Sequence, residues 1–408
     1  MKILLISAFF PPEVGSAAHL FFELGQALLM QGHEVTVLTG LPRYHVLGGK
    51  KTYRQRSVIQ ENYHGLKVVR VFNLDIPWNK PILRGLDQWV SALVAGLAGG
   101  ILLPSFDVAL VYSPPLPLAL AAWGLARWRR WPIVVNIQDL IPQSVIDLGV
   151  LKDPYLIRVF RKLESFVYRR ADLVVAHSEG NRQHIIAAGG DPNKVMLIPN
   201  WIDTEAIRPS GRNNDLRASL GLEGNFIVSF AGIMGYSQDL ETVLYCADLL
   251  RDQNDIAFLL VGDGVEKVKL EEMAKDNNLS NVLFLPMQSK ERYAEVLAAS
   301  DLCLVTLRKE VRTPVVPSKI LSIMAAGRPI LASLSLEGDA PRLIDEAQCG
   351  QCVSPGQPEA MAKAILQIFG STELRKKMGA NGRQYAVEHY SLKKCVKHIE
   401  SCLTSICS

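Results

Sequence analysis

A serine and a lysine stand at the predicted start of a helix in "VPSKILSIMAAGRPIL", residues 316–331. The proline, the run of small and apolar residues, Gly327 and the apolar end predict a loop, a short helix and a buried strand. A lysine there is unfavourable beside the partial positive charge of a helix N-terminus, unless an anion lies between them. An ammonium, a hydroxyl and a helix N-terminus together suit a diphosphate. Ser318 and Lys319 therefore predict a diphosphate site, the alternative being a solvent-exposed lysine.

Strands and helices that would position these residues alternate along the chain. Apolar runs such as "KILLISAF", "DVALVYS" and "WPIVVNIQD" are separated by helical segments, and the pattern restarts after Asn200 with "NFIVSFAG" and "DIAFLLVGDG". Continuous apolar runs are typical of strands that are buried on both faces of a parallel sheet. The sequence predicts an α/β protein of two doubly wound, Rossmann-like domains facing a central cleft.

The predicted domain boundaries follow the change in composition. Residues 199–215 turn polar and contain Pro and Gly, which indicates a linker. We place an N-terminal domain at residues 1–205, a C-terminal domain at residues 206–390 and a final helix at residues 391–408.

Ligands of open parallel sheets bind beyond the carboxyl ends of the strands. The loops at those ends read "PPEVGSA", "IQDLIP", "GIMGYSQD", "VGDG", "LPMQ" and "VVPSK". Gly232, Gly235, Gln238, Gly262, Gly264 and Met287 lie in these loops, and we expect them to contribute to the ligand site, plain turns being the alternative for the last three.

Composition and motifs exclude several classes of protein. The 408 residues are 49% hydrophobic and 21% charged, with a net charge of +4, which supports a large core and gives no argument for nucleic acid binding. A nicotinamide fingerprint, a P-loop, and a cluster of His or Cys with metal-ligand spacing are all missing from the sequence. We therefore expect no metal and no cofactor.

Seven scattered cysteines predict reduced thiols. "CGQC", residues 349–352, has redox spacing but no second pair to complete a metal site, and we interpret it as ordinary strand-and-turn packing.

Two apolar stretches bear on membrane association. "MKILLISAFFPP" ends at two prolines without a cleavage site and predicts a buried strand instead of a signal peptide. "WVSALVAGLAGGILL", residues 89–103, contains three glycines and is shorter than the ~20 residues of a membrane span, so it predicts a core helix or a membrane-facing helix. "RWRRW", residues 127–131, suits either a lipid headgroup region or a solvated helix end.

Motifs in both halves resemble one family. "PPEVGSAAHLFFELGQALLMQGHEVTVLT", "IPNWID" and "PSKILSIMAAGRPILAS" resemble the retaining glycosyltransferases of family 4, of GT-B fold. "GYSQDLETVL" and "VPSK" are most similar to the branch that builds bacterial surface polysaccharides, such as the colanic acid and O-antigen glycosyltransferases.

The resemblance implies a nucleotide-diphosphate sugar donor held by the C-terminal domain, and an acceptor held by the N-terminal domain. UDP is the expected nucleotide, and an N-acetylated amino sugar is one candidate for the sugar. The acceptor is a glycan or a polyprenyl-diphosphate-linked sugar. The enzyme would be cytoplasmic, the inner face of the plasma membrane being the second location. The final helix would cross back to the first domain.

The resemblance also assigns roles to individual residues. Gly15 and Ser16 would face the donor phosphates and sugar, and Asp139 would face the reacting centre unless it caps the helix before "LIPQS". Asp139 and Lys319 are the predicted catalytic residues. The helix start that would bind the donor comprises Pro317, Ser318, Lys319 and Ile320.

Two departures from the family pattern concern charge. Pro314 and Ser322 stand where many members have the two carboxylates of Glu-x7-Glu, and Ile233 and Gln238 stand where many have Arg and Lys. We therefore expect Lys319 to supply the missing positive charge, assisted by Arg308 or Arg312. Two other functions stay open: a sugar-nucleotide epimerase of GT-B fold, and a catalytically idle sugar-nucleotide-binding subunit of a polysaccharide assembly complex.

Overall fold

The computed structural model describes residues 1–13, 15–42, 53, 57–74, 76, 81–314 and 316–407. They form two compact units: Met1–Asn200 with Leu392–Ser408, and Trp201–Ser391. Each unit is built on one largely parallel sheet with helices on its faces. The predicted α/β class and the two Rossmann-like domains are confirmed.

The first unit contains an eight-stranded sheet in the order β3-β4-β2-β1-β5-β6-β7-β8. All pairs are parallel except β3 with β4. The strands are β1 (Lys2–Ile6), β2 (Glu34–Gly40), β3 (Val58–Tyr63), β4 (Leu66–Val71), β5 (Val108–Ser113), β6 (Ile133–Ile137), β7 (Leu173–Ala176) and β8 (Val195–Leu197). Six helices of this unit are α1 (Ser16–Met30), α2 (Pro81–Leu102), α3 (Leu116–Arg129), α4 (Gln143–Asp147), α5 (Pro154–Arg170) and α6 (Glu179–Ala187).

The second unit contains a six-stranded, wholly parallel sheet in the order β11-β10-β9-β12-β13-β14. The strands are β9 (Phe226–Ile233), β10 (Ile256–Asp263), β11 (Val282–Leu285), β12 (Leu302–Thr306), β13 (Ile330–Ser333) and β14 (Gly350–Val353). Its helices are α7 (Asp215–Leu220), α8 (Leu240–Leu249), α9 (Lys267–Asp276), α10 (Lys290–Ala299), α11 (Ser318–Ala325), α12 (Asp339–Glu346), α13 (Pro358–Phe369) and α14 (Thr372–His389).

The strand orders locate one switch point in each sheet, where successive connections run in opposite directions. In the second sheet it lies between β9 and β12, and in the first between β1 and β5. Loops diverge at such a point and leave a crevice at the carboxyl edge, where ligands of this architecture bind. The loops that follow β1, β5, β9 and β12 are therefore the ones to inspect.

Helix α2 is longer than the apolar stretch from which it was predicted. It begins at Pro81 and has 22 residues, so the expectation of a segment too short for a membrane span was wrong. Residues Gly85–Leu102 are long and apolar enough to cross a membrane by length and composition. One face of the helix nevertheless packs on the core, because Ala92 and Ala95 are buried.

The glycines of α2 serve packing against α3. A Cβ atom at Gly99 would lie 2.6 Å from the Leu125 Cδ2 atom, and one at Gly96 would lie 3.5 Å from the Ala121 Cβ atom. The ring of Trp128 lies against Gly100 in the same way. These glycines lower helix propensity, as the sequence indicated, but they also allow α3 to approach closely.

The last helix, α15 (Leu392–Cys407), belongs to the first unit. It packs against α1, and its buried side chains are Cys395, Val396, Ile399 and Leu403. The Glu400 carboxylate lies 2.8 Å from the His33 Nε2 atom. The chain therefore returns to its first unit after completing the second.

The cysteines form no disulfide. All seven are free thiols, including Cys349 and Cys352 of "CGQC" on and beside β14. Burial raises the pKa of the Cys349 thiol to about 12 and that of Cys352 to about 11. Both thiols are thus unreactive at neutral pH, as expected for ordinary packing.

Candidate active site

Lys319 lies in the first turn of α11, at the carboxyl edge of the second sheet. Its Nζ atom donates a 2.7 Å hydrogen bond to the Gln238 Oε1 atom and lies 3.7 Å from the centroid of the Phe230 ring. None of the ion pairs among the described residues involves this amine. The protein around it desolvates the charge and lowers the pKa of the Lys319 amine to about 7.

The contact between Lys319 and Gln238 spans the switch point of this sheet. Gln238 lies in the loop that follows β9, and α11 follows β12. The Lys319 side chain passes directly over Gly232, where a Cβ atom would lie 3.0 Å from its Cε atom. Gly232 has a φ of 151°, which also favours glycine. The predicted cation is thus held where the fold places anionic ligands.

The start of α11 offers backbone groups beside the amine. Pro317 is the N-cap, and the first turn contains neither a side-chain cap nor an acidic residue. Ser318 is exposed, whereas the Ile320 side chain is fully buried. The Ile320 N–H already donates to the Pro317 carbonyl at 3.0 Å, so the N–H groups of the preceding residues are the ones that face this end of the helix.

The loops after β9 and β10 are joined through their backbones. A Cβ atom at Gly262 would lie 1.9 Å from the Gly232 carbonyl oxygen, and one at Gly264 would lie 2.4 Å from that of Met234. The Gln238 N–H closes a turn onto the Gly235 carbonyl at 3.0 Å. Only residues without a side chain allow this approach, so Gly262 and Gly264 have at least a structural reason to be glycine.

The remaining donor-side residues line the same sheet edge. Met287 follows β11, next to β10, and is partly buried. Ser322, which the resemblance aligns with the second glutamate of Glu-x7-Glu, is buried on α11 and hydrogen-bonds Tyr293. Neither Pro314 nor Ser322 carries a carboxylate, so position 322 offers a hydroxyl where the family pattern has an acid.

Arg308 is already paired with carboxylates. Its Nη2 atom lies 3.2 Å from the Glu266 Oε2 atom and 3.4 Å from the Glu241 Oε1 atom, which also accepts a hydrogen bond from Lys269. That hydrogen bond, together with the neighbouring cations, lowers the pKa of the Glu241 carboxyl. The charge of Arg308 is therefore compensated, which argues against the assistance predicted for it; Arg312 is exposed.

Gly15 precedes α1 at the switch point of the first sheet. Its φ of 161° is an extended conformation that any residue adopts, and a Cβ atom there would meet nothing within 4 Å. The conformation of Gly15 therefore does not itself require glycine, and the predicted approach of this backbone to the donor phosphates stays a prediction. The side chain of Ser16 lies outside the described residues.

The loop that leads to Gly15 is held by a buried arginine. Arg70, on β4, donates through its Nη2 atom to the Pro11 carbonyl, and its Nε atom lies 2.6 Å from the Glu61 Oε1 atom. Arg70 is fully buried. No sequence pattern indicated this contact, because Arg70 lies in a short strand 59 residues away from Pro11.

Asp139 follows β6 and is solvent-accessible at the edge of the first sheet. Helix α4 has Pro142 as its N-cap, so the alternative of Asp139 as a helix cap was wrong. The surrounding protein partly desolvates the Asp139 carboxyl group and thereby raises its pKa. The preceding residue is fixed by paired amides, since Gln138 and Asn200 exchange hydrogen bonds of 2.6 and 2.9 Å.

A cavity of about 380 Å³ lies beside Asp139 within the first unit. The end of β2 and the loops after β1, β4, β5 and β6 surround it, and α2 forms one wall. Most of its lining is apolar, and its polar side chains include Asn73, Asp87, Ser91 and Asp139. No single sequence motif indicated this cavity, because its lining comes from six separate segments.

Both units match models of known families. Residues 15–201 match the family described as glycosyl transferase 4-like domain, and residues 212–385 match glycosyl transferases group 1. The chain belongs to these glycosyltransferases. The predicted family 4 resemblance is confirmed, and the two units are the two domains of a GT-B glycosyltransferase.

Curated relatives and solved structures support the same conclusion. This glycosyltransferase is 27% identical over 405 residues to the putative colanic acid biosynthesis glycosyl transferase WcaI of Escherichia coli, with 95% of each chain covered. It is 29% identical to the probable glycosyltransferase WbjE of Pseudomonas aeruginosa, over 71% of this chain and 73% of the relative. HepE of Anabaena in complex with UDP has the same fold, with a TM-score of 0.75 at 20% identity over 99% and 100% of the two chains.

Proposed function

We propose that this glycosyltransferase moves a sugar from a UDP-sugar to a glycan or polyprenyl-diphosphate-linked acceptor in bacterial surface polysaccharide synthesis. The anomeric configuration would be retained, and the sugar would be a hexose or an N-acetylhexosamine. The relation to WcaI supports the process, and the fold shared with HepE, which was solved with UDP, supports the nucleotide.

One observation carries the donor side of this proposal. A desolvated lysine with no carboxylate partner among the described residues lies at the switch point of the second sheet, beside an uncapped helix N-terminus. A half-buried, desolvated cation without a counter-ion is unfavourable, so a bound anion would stabilise it. The diphosphate of a sugar nucleotide supplies two negative charges of suitable size.

The same groups would act in the reaction. As the bond between the anomeric carbon and the diphosphate oxygen breaks, its electron pair and negative charge pass to the diphosphate. Lys319 and the N–H groups of α11 would stabilise that growing charge, which is usually the largest contribution to catalysis of this type. The acceptor oxygen forms the new bond to the anomeric carbon, its proton passes to an oxygen of the departing diphosphate, and Asp139 would orient the acceptor hydroxyl.

Donor binding and product analysis test this function. We expect the purified full-length protein to bind a UDP-sugar in calorimetry and to release UDP when an acceptor is present. Conversion of the donor into a different sugar nucleotide without an acceptor would instead identify an epimerase. Donor binding with neither transfer nor hydrolysis would identify an idle binding subunit, and absence of binding to every nucleotide sugar would refute the proposal.

We further propose that α2 rests on the inner face of the plasma membrane. Its outer face presents Leu86, Leu93, Leu97 and Ile101, which are 54–74% exposed and recur at helical spacing. Trp128, 61% exposed, extends this face at Gly100. An exposed apolar stripe of this length is typical of an interfacial helix.

Only part of "RWRRW" supports this surface. Arg127 and Arg130 are exposed and suit anionic headgroups. Arg129 instead donates to the Leu103 carbonyl at 3.0 Å, and Trp131 is buried with its Nε1 atom 3.2 Å from the Ser105 hydroxyl. The prediction of five interfacial residues is thereby reduced to Arg127, Trp128 and Arg130.

Vesicle co-sedimentation tests the membrane surface. We expect binding to anionic vesicles at low salt, and its loss in Leu93→Gln/Leu97→Gln. Leu249→Gln/Leu366→Gln, which changes two exposed leucines of the second unit, is the matched control and should bind as the wild type does. Recovery of all wild-type protein in the supernatant would contradict the membrane role.

A further inference from the structure

The cavity of the first unit combines an apolar wall with a few fixed polar groups. Leu38, Val71, Ala95 and Leu118 contribute to the apolar wall. Its volume of about 380 Å³ is at the lower end of the ~300–1,000 Å³ typical of small-molecule sites. This size accommodates one sugar residue.

The polar groups of the lining are held by hydrogen bonds. The Asp87 Oδ1 atom accepts from the Ser91 hydroxyl at 2.9 Å and from the Leu74 N–H at 3.0 Å. The Asn73 Nδ2 atom donates to the Leu41 carbonyl at 2.8 Å. Gly40 makes room for that amide, because a Cβ atom at Gly40 would lie 2.4 Å from the Asn73 Nδ2 atom. The cavity is thus a preformed site with fixed polar groups.

This mixture of surfaces selects among sugars. A hexose with a hydroxyl at every position would leave some hydroxyls unpaired against the apolar wall, which costs free energy. A sugar that carries a methyl group, on a deoxygenated C6 or in an N-acetyl group, would place that methyl on the wall and its remaining polar groups near Asn73, Ser91 and Asp139.

We propose that this cavity binds the terminal sugar of the acceptor, and that this sugar carries a methyl-bearing substituent. The inference rests on the function proposed above. The hydroxyl that is glycosylated would lie at Asp139, which lines the cavity and remains accessible to solvent. The acceptor is then selected by its last residue, whatever glycan or lipid lies behind it.

Binding of simple glycosides to the full-length protein tests the selectivity. The probes are methyl glycosides of a hexose, a 6-deoxyhexose and an N-acetylhexosamine, measured by ligand-observed NMR. We expect one of the two methyl-bearing sugars to bind about fourfold tighter than the plain hexoside, or better, because one methyl group becomes buried. Equal binding of all three, or binding of none, would overturn the proposal.

Cavity filling tests the location. Ala95→Met puts three more heavy atoms into the cavity and should abolish glycoside binding. Ala98→Met, on the same helix but outside the lining, is the matched control and should bind as the wild type does. If both variants bind equally, the glycoside lies elsewhere and the proposal is wrong.

Two further measurements separate the outcomes. UDP-sugar binding by the same samples reports on the second unit. If the samples bind the UDP-sugar but the glycoside tests fail, this inference is refuted and the proposed function still stands. A short prenyl phosphate is the last probe. If Ala95→Met abolishes its binding while no methyl glycoside binds, the cavity accepts a lipid chain and the sugar assignment is overturned.

Discussion

Lys319 is a cation whose surroundings disfavour its charge. Among the described residues, its amine contacts an aromatic face and an amide oxygen, and desolvation lowers the pKa of the amine to about 7. Neutral partners compensate a partly desolvated charge only in part. A diphosphate would remove that deficit, so the protein without its donor holds a site that is prepared for an anion.

Replacement of Lys319 by methionine removes the charge while keeping most of the side-chain volume. We expect Lys319→Met to weaken UDP-sugar binding by about 1.5–3 kcal/mol, as for a hydrogen bond to a charged group. Calorimetry measures this change. Lys363→Met, an exposed lysine of α13, is the control and should bind as the wild type does. Unchanged affinity in Lys319→Met would show that the amine does not contact the donor.

Donor binding should depend on pH through the same amine. Because the pKa of Lys319 is about 7 in the free protein and would be raised by a bound diphosphate, binding takes up a proton above that pH. Affinity should therefore fall as the pH rises from 7 to 9. Calorimetry at pH 8 in buffers of different ionisation enthalpy should show an uptake approaching one proton, and Lys319→Met should show none. Absence of uptake in the wild type would contradict this assignment.

The positions of single residues could be predicted from the sequence where a helix start or a strand end determines them. The first turn that contains Ser318 and Lys319 was predicted from the proline, the small residues and Gly327 alone. The contact of Lys319 with Phe230 was not predicted, because Phe230 lies in a continuous apolar stretch of sequence, and such a stretch does not indicate which of its side chains face α11. The alternative prediction that Asp139 caps a helix was wrong for a local reason, because helix α4 begins four residues later, after Pro142.

Helix α2 shows how one element can serve two surfaces. Its inner face lines the cavity and packs on α3, and its outer face presents the apolar stripe. The sequence predicted an apolar helix but not its orientation, because leucines and alanines alternate too evenly to distinguish the faces. The start at Pro81 was missed since residues 81–88 are less apolar than the stretch that follows.

Glycine substitutions in this helix pair should change stability in opposite directions. Gly99→Ala would gain helix propensity but would push against Leu125, whereas Gly124→Ala in α3 faces open space. We expect Gly124→Ala to stabilise the first unit by up to ~1 kcal/mol. Gly99→Ala should be less stable than Gly124→Ala by about 1–3 kcal/mol, the cost of overpacking.

Urea unfolding monitored by tryptophan fluorescence measures the free energy of unfolding of both variants. Equal stabilisation by the two alanines would show that Leu125 moves aside freely, and that close packing of α2 on α3 does not require Gly99.

For the whole molecule, the return of α15 to the first unit ties its stability to the last helix. Ile399 is fully buried in that contact. Ile399→Ala should lower the free energy of unfolding of the first unit by about 2–5 kcal/mol, because it leaves a cavity. Ser401→Ala, an exposed position of α15, is the matched control.

Thermal unfolding measures the loss of stability, and UDP-sugar calorimetry below the transition should show wild-type donor affinity in both variants. A loss of donor affinity in Ile399→Ala, with the second unit folded, would contradict the independence of the two units that this expectation assumes.

The return of α15 also constrains synthesis. A ribosome makes β1–β8 and then all of the second unit before it makes Leu392–Cys407. Until then, the surface that α15 covers stays open on a nascent chain that already contains every residue of the second unit. Synthesis of the second unit is thus complete before synthesis of the first. During the interval in which α15 is still missing, we expect holdase chaperones to bind the first unit.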